Sequence, residues 1–169
     1  FQQYMDWISR LEKLDDVIDQ YIALANQGIE NKIMPPKVLM TRVLNQIKLQ
    51  NVDSYSNSPF YDAFEVLPNE ITDKEQKQIR QQAQIIITDV VIPSYVKLLN
   101  FFENSYYPNC RDTIGISDIE NGSQYYELIA RQFTTTELTP DEIHNIGLSE
   151  VSRIKNEMFK IMDQVQWNG

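Results

Sequence analysis

Residues 74–105 read KEQKQIRQQAQIIITDVVIPSYVKLLNFFENS, and this stretch decides between an all-helical and a mixed fold. Its centre, residues 85–92, has the β-branched composition of a buried strand. Strong helical patterns continue on both sides of that centre. One long buried helix therefore needs fewer turns than a helix, a strand and a second helix, and we predict the single helix.

The predicted long helix has signals at its start, middle and end. Thr72 followed by Glu75 forms a capping-box pattern, which predicts the helix start. Pro93 lies in the interior, where it removes a hydrogen bond at a cost of about 3 kcal/mol, so we expect a bend near residues 89–93 or two helices meeting there. Tyr107 is followed by Pro108, and the residue before a proline avoids the α region, so the helix is expected to end there.

The chain before this stretch also favours helices. Apolar residues recur at threes and fours and predict a helix with one buried face, with Gly28 as its natural stop: Tyr4, Ile8, Leu11, Leu14, Ile18, Tyr21, Ile22 and Ala25. A second helix is expected after Met34, with Pro35 and Pro36 in its first turn. Residues 50–59 are rich in turn formers and predict a surface loop, followed by a short helix over residues 60–64.

After the long helix, residues 121–148 read NGSQYYELIARQFTTTELTPDEIHNIGL. Thr139, Pro140 and Glu142 predict a helix start, with a hydroxyl cap, proline at the first position and a capping box. The apolar residues of this last helix are spaced for tight packing against another helix, closest at the glycine: Ile143, Gly147, Val151, Ile154, Met158, Ile161 and Val165.

The helix before it carries a second apolar stripe, formed by Tyr125, Leu128, Ile129 and Phe133, with Tyr126 beside it. Core packing is the simpler interpretation of these aromatic residues. A tyrosine can also bury its ring while keeping its hydroxyl at the wall of a cleft. The sequence leaves both interpretations open.

Together these patterns predict an all-α fold, an irregular bundle of about five to six helices, one of them long and kinked near Pro93. We expect one helical domain over residues 1–169. The chain opens at Phe1 without an initiator methionine, and we interpret it as a fragment of a longer protein.

Composition limits the function. The net charge of −9 repels phosphate backbones and anionic lipid, so nucleic acid is not an expected partner. The most apolar segment, residues 85–96, is interrupted by Thr88, Asp89 and Pro93, so no membrane span is predicted. Cys110 is the single cysteine and cannot form an intramolecular disulfide, which leaves the compartment open. No histidine lies near it in sequence, so a nucleophilic role has no support.

The order of motifs in residues 122–154 is more specific. A glycine, a tyrosine pair, three threonines, LTPDEIH, Gly-Leu, Glu-Val and Arg-Ile follow one another. This order resembles a bacterial family, domain of unknown function 885, whose complete members resemble zinc metallopeptidases. The earlier pieces at residues 58–60 (SPF) and 92–95 (IPSY) are similar to it as well.

In that family the resemblance implies a His-Glu-x-x-His helix, in which two histidines bind zinc and the glutamate activates water. This chain has one histidine, His144, and lacks the motif. The resemblance therefore implies a non-catalytic helical part, with no metal ligands of its own, and zinc only in the complete protein. It implies as partners the C-terminal catalytic region of the same protein and a peptide substrate, and it favours an extracytoplasmic location, secreted or lipoprotein.

Carried over residue by residue, the resemblance makes six residues candidates for the wall of the substrate cleft: Tyr125, Tyr126, Thr134, Thr135, Thr136 and His144. His144 is either such a contact or a histidine of the helix surface. Its spacing from Asp141 imitates a helix-bundle di-metal site, but such a site needs the motif from two helices. The alternative function is a free-standing helical binding or interaction module without enzymatic activity.

Overall fold

Helices are the regular secondary structure of residues 1–167, the part of the chain that the computed structural model describes. The all-α prediction is confirmed. Contacts divide the chain into two compact units, Phe1–Ile114 and Gly115–Gly169. The expectation of one domain over residues 1–169 stays a prediction.

The first unit contains α1 (Gln2–Leu11), α2 (Leu14–Glu30), α3 (Lys37–Leu49), α4 (Asp62–Glu65), α5 (Asp73–Ile86), α6 (Ile92–Phe101) and α7 (Tyr107–Asn109). The second contains α8 (Gly122–Thr134) and α9 (Pro140–Gln164). The predicted capping box at Thr72 is confirmed, because its hydroxyl accepts from the Glu75 N–H and the Glu75 carboxylate accepts from the Thr72 N–H.

The long helix of the sequence prediction runs continuously over Asp73–Asn109. Its parts α5, α6 and α7 are joined by two π-helical turns, Ile87–Val91 and Phe102–Tyr106. Each wide turn ends two residues before a proline, Pro93 or Pro108. The irregularity expected near Pro93 is therefore a π turn. Such turns are common near a proline inside a helix, because proline has no backbone N–H to donate to the helical hydrogen bonds.

The helix end differs from the prediction by a residue or two. Tyr107 keeps the α conformation, with φ −60° and ψ −42°, although Pro108 follows it. The π turn before it moves the hydrogen bonding by one residue, since the Tyr107 N–H donates to the Phe102 carbonyl. The helix then ends at Asn109.

The core of the first unit forms where α1, α4 and the chain after α4 pack on α5 and the first π turn. Phe64 and Ile79 are fully buried at its centre. The ring of Phe64 lies 6.0 Å from that of Tyr4 and 6.2 Å from that of Tyr61. Helices α2 and α3 pack further along, on α6.

The N-terminal segment is two helices and not the one predicted. The break falls at Glu12 and Lys13, where the Lys13 N–H turns back to the Arg10 carbonyl at 3.1 Å. The apolar spacing continues across this break, so periodicity could not reveal it. The reason is tertiary, because α1 packs on α5 whereas α2 packs on α6.

Gly28 is not the stop that the sequence predicted, since α2 continues through it to Glu30. The helix ends in a Schellman motif, in which the N–H groups of Lys32 and Ile33 donate to the carbonyls of Ile29 and Gly28 at 3.1 and 2.9 Å. Lys32 takes the left-handed position, with φ 57°. A lysine occupies the place where the sequence rule expects glycine.

By length and composition alone, Asp73–Asn109 could cross a membrane. Among its most apolar residues, Ile87 and Val91 are buried against the other helices of the unit. A core helix has this character as well, and the expected absence of a membrane span stays a prediction.

Candidate functional site

The six predicted cleft residues all lie in the helical hairpin formed by α8, α9 and the turn between them. Tyr125 and Tyr126 lie in the first turns of α8, the three threonines at its end, and His144 in the second turn of α9. All six side chains are exposed. Folding therefore places the candidates on one accessible hairpin.

Only Tyr126 and Thr134 of the six line a common depression. This pocket has a volume of about 280 Å³ and lies between α8 and α9. Its remaining walls are apolar and come from Ile129, Ala130, Phe133, Pro140 and Ile143. Tyr125, Thr135, Thr136 and His144 do not line this pocket.

The threonine run forms a turn held by its own hydroxyls. The Thr134 hydroxyl donates to the Ala130 carbonyl at 2.8 Å and lies 2.9 Å from that of Thr136. The Thr135 hydroxyl donates to the Thr134 carbonyl at 2.7 Å. Thr135 has φ 55°, a left-handed conformation that is strained for a β-branched residue. These hydroxyls set the course of the chain between the two helices.

The start of α9 is confirmed as predicted. The Thr139 hydroxyl accepts from the Glu142 N–H at 3.3 Å, and the Thr139 N–H donates to the Glu142 carboxylate at 2.8 Å. The Thr139 hydroxyl also donates to the Glu142 carboxylate at 2.8 Å, and the hydrogen bonds from the Thr139 N–H and hydroxyl lower the pKa of Glu142. Glu142 is thus occupied in capping.

The hairpin does not provide a zinc site. Within residues 1–167, no three His, Cys, Asp or Glu side chains come together in a group that could hold a metal ion. His144 is exposed and belongs to no such set. The side chains in this part of the chain therefore do not fit zinc.

Cys110 likewise does not have the environment of a nucleophile. Its side chain is buried, and burial raises the pKa of the thiol. The thiol donates a weak hydrogen bond to the Tyr106 carbonyl at 3.4 Å. A thiol that stays protonated in an apolar site is inert compared with a catalytic thiolate.

Aromatic and apolar stripes on the hairpin are exposed within residues 1–167. Tyr125 and Tyr126 are each 53% exposed and Phe133 is 83% exposed. An ideal Cβ built on Gly147 meets no atom within 4 Å, so within residues 115–167 no helix packs closely against it. Of the two interpretations of the α8 aromatic residues, core packing is not seen among the residues that the structure describes, and the close helix contact predicted at Gly147 is not seen within the second unit.

The structure also joins the two short motifs that lie far apart in sequence. The ring of Phe60, from the first motif, lies 5.8 Å from that of Tyr95, from the second. Ser94 is buried, and its hydroxyl donates to the Asp15 carboxylate at 3.0 Å. The motif pieces therefore form part of the packing of the first unit.

Lys97 completes this contact by bridging Asp15 and Asp19, with 2.5 Å from its Nζ to each carboxylate. The hydrogen bonds from Lys97 and Ser94 lower the pKa of Asp15, and those to Asp15 and Asp19 raise the pKa of Lys97. Sequence reasoning missed this cluster. The spacing of the two aspartates, four residues apart on one helix face, was the available signal.

An apolar groove of about 600 Å³ lies between α2, α3 and the end of the long helix. Tyr21, Met40, Phe101 and Tyr106 are among its walls. Phe102 and Tyr106 belong to the second π turn, so this irregular segment shapes the groove. Sequence reasoning did not identify it, because its walls come from three separate segments.

Comparison with known proteins places the chain in a family. No curated protein matches it. A solved structure, described as that of the "putative lipoprotein" from Colwellia psychrerythraea, matches with a TM-score of 0.75 and 26% sequence identity. The match covers 99% of this chain and 29% of that one, so the chain spans less than a third of its structural relative. The model of the bacterial protein family of unknown function DUF885 matches residues 1–169, and the chain belongs to that family.

Proposed function

We propose that the chain is the helical, non-catalytic part of a longer DUF885 protein that acts as a zinc-dependent peptidase. The observation that carries this proposal is the uncovered apolar and aromatic surface of the α8–α9 hairpin in a chain that matches only 29% of its relative. Large exposed apolar surface marks a contact with further protein or with a ligand. The peptidase activity is inferred from the family resemblance of residues 122–154.

Within such a protein, we assign the α8–α9 hairpin to a wall of the substrate cleft. The pocket is lined by apolar side chains together with Tyr126 and Thr134, which carry hydroxyl groups, and such a lining suits a peptide side chain with a polar neighbour. Thr134 also lines the pocket and is held by the hydrogen bond from its hydroxyl to the Ala130 carbonyl. Tyr125, Thr135, Thr136 and His144 would lie around it as further candidates.

We propose two partners for the chain. The first is the catalytic region of the same polypeptide, which would supply the zinc ligands that this chain does not have. The second is a peptide substrate. An extracytoplasmic location is also proposed, because the structural relative is described as a "putative lipoprotein".

The alternative is a helical binding module without enzymatic activity. It is favoured by the apolar groove of about 600 Å³ in the first unit, which is of the size of small-molecule pockets. A module of this kind would bind without any contribution from a catalytic region.

A peptidase assay on the longer protein tests the proposal. We expect hydrolysis that a zinc chelator abolishes and that added zinc restores, with no hydrolysis by the 169-residue chain alone. Replacement Tyr126→Ala should raise KM about five- to tenfold with little change in kcat, because it removes a contact worth roughly 1 kcal/mol in substrate binding.

The matched control is Glu127→Ala, the next residue on α8, whose side chain does not line the pocket. Its KM should stay at the wild-type value. Hydrolysis that is indifferent to chelator would overturn the peptidase proposal. Equal KM values for the two variants would remove Tyr126 from the cleft.

A further inference from the structure

The α8–α9 hairpin has almost no buried interior of its own. Over the 25 residues of α9 no side chain is buried, and α8 buries only Gly122. By contrast, the first unit has a continuous core centred on Phe64 and Ile79. Since most helical stability in proteins comes from packing an apolar face, the hairpin lacks its main source of stability within residues 1–167.

The uncovered surface of α9 has the form of a helix-packing seam. We call the six residues Gly147, Val151, Ile154, Met158, Ile161 and Val165 the α9 seam. Their spacing alternates threes and fours, which lines them up along one side of the helix. Val151, Met158 and Ile161 are 64%, 57% and 58% exposed.

Gly147 gives the seam a point of close approach. It lies in the interior of α9, where glycine weakens a helix by roughly 1 kcal/mol relative to alanine. Nothing within residues 1–167 lies near its missing side chain. A glycine in a seam allows a second helix to come closer than a larger residue would.

The side of α9 next to the seam is polar and exposed to solvent. Arg153 binds Glu150 at 2.8 Å and Glu157 at 3.1 Å, and all three side chains are about half exposed. These ion pairs are satisfied within the helix and need no partner. They leave the seam side free for a contact, and Ile146, Leu148 and Phe159 are further exposed apolar residues of α9 outside the seam.

We propose that the α9 seam packs against a helix of the same polypeptide outside residues 1–169, and that this contact orders the α8–α9 hairpin. The proposal rests on the proposed function only in assuming a longer polypeptide. That assumption is supported by the relative, most of whose chain lies outside the match. A second copy of the chain is a poorer occupant, because a net charge of −9 on each copy opposes their association.

Hydrogen exchange on the wild-type proteins tests the proposal directly. In the longer protein, the backbone amides of residues 147–161 should exchange at least about 100-fold more slowly than in the 169-residue chain. The amides of α5 in the first unit should show similar protection in both proteins. Equal exchange of residues 147–161 in the two proteins would overturn the proposal.

Variants of the longer protein separate the seam from the rest of α9. Ile154→Glu places a charge in the seam and should lower the melting temperature, whereas Asn156→Glu, on the exposed polar side, should leave it unchanged. In the 169-residue chain neither variant should alter the melting of the first unit. Equal effects of the two variants in the longer protein would count against the seam.

The size of the 169-residue chain in solution supplies the remaining check. It should be monomeric at micromolar concentration. A dimer in which residues 147–161 are protected would overturn the proposal in favour of a second copy. Loss of peptidase activity does not enter these measurements, so failure of the seam and failure of the peptidase proposal can be told apart.

Discussion

At Gly122 the chain passes so close to itself that no side chain fits. An ideal Cβ at this position would lie 1.9 Å from the backbone carbonyl oxygen of Ile116. Asn121 before it is left-handed, with φ 57°, which asparagine tolerates better than most residues. Together these two residues turn the chain into α8.

Replacement Gly122→Ala should disrupt this turn, because a backbone atom and not a flexible side chain is in the way. We expect a loss of about 1–3 kcal/mol in the stability of the hairpin within the longer protein, measured by hydrogen exchange of the α8 amides. Gly147→Ala is the control in the 169-residue chain, where space is open and the substitution should increase the helicity of α9. A neutral Gly122→Ala variant would contradict the close approach.

For the six candidate site residues, the sequence could indicate the chemical type of each side chain and the helix on or beside which it lies. It could not indicate which of them lie together. Thr139 and Glu142 were predictable because a capping box depends on residues three apart in sequence. The pocket that joins Tyr126 to Thr134 and Pro140 was not, because it needs the geometry of the turn between two helices. That turn depends on Thr135, a β-branched residue in a conformation that propensity rules disfavour.

At the scale of elements, α2 is joined to α6 by Lys97, which contacts Asp15 and Asp19. The pKa of Asp15 is lowered from 3.8, so its contribution to stability is complete above pH 3.8 and is lost as the pH falls through its folded-state value. The pKa of Lys97 is raised from 10.5, so its contribution is complete below pH 10.5 and is lost as the pH rises through its folded-state value.

Replacement Lys97→Met should therefore make the free energy of unfolding of the first unit depend less on pH, both at acidic and at alkaline pH. The cost at pH 7 should stay below about 1 kcal/mol, since the groups are partly exposed and solvent screens the pairs. Urea unfolding followed between pH 2 and pH 12 measures it, with Lys13→Met, which removes an exposed pair with Asp16, as control. Identical pH profiles for Lys97→Met and the wild type would refute the assignment.

The long helix shows what element-scale reasoning can and cannot supply. Its continuity through residues 85–92 followed from helical patterns on both sides. Pro93 and Pro108 indicated that the helix is irregular, but the two π turns could not be predicted from them. A proline shows that one hydrogen-bond donor is missing, and it does not determine how the backbone adjusts. The break between α1 and α2 was equally hidden, because it depends on which part of the long helix each one packs against.

For the whole molecule, the division into two units predicts two different stabilities. Phe64 is fully buried at the centre of the first unit, and its replacement Phe64→Ala should lower the free energy of unfolding of that unit by about 3–5 kcal/mol. Exchange of the α9 amides in the 169-residue chain should not change, because α9 has no buried residue that depends on this core. Parallel changes in α5 and α9 would show one cooperative unit instead.

The sequence by itself determined the all-α class, the helix starts at Thr72 and Thr139, the absence of a two-histidine zinc motif and the family resemblance. These features depend on residues a few positions apart, whose hydrogen bonds form within one element. Only the tertiary structure decided which apolar faces are covered: Ile79 and Ile87 are buried, whereas Val151 and Phe133 are exposed. The periodic pattern is the same in both cases. Burial depends on surfaces that other segments supply, and the pattern along one helix does not contain information about those segments.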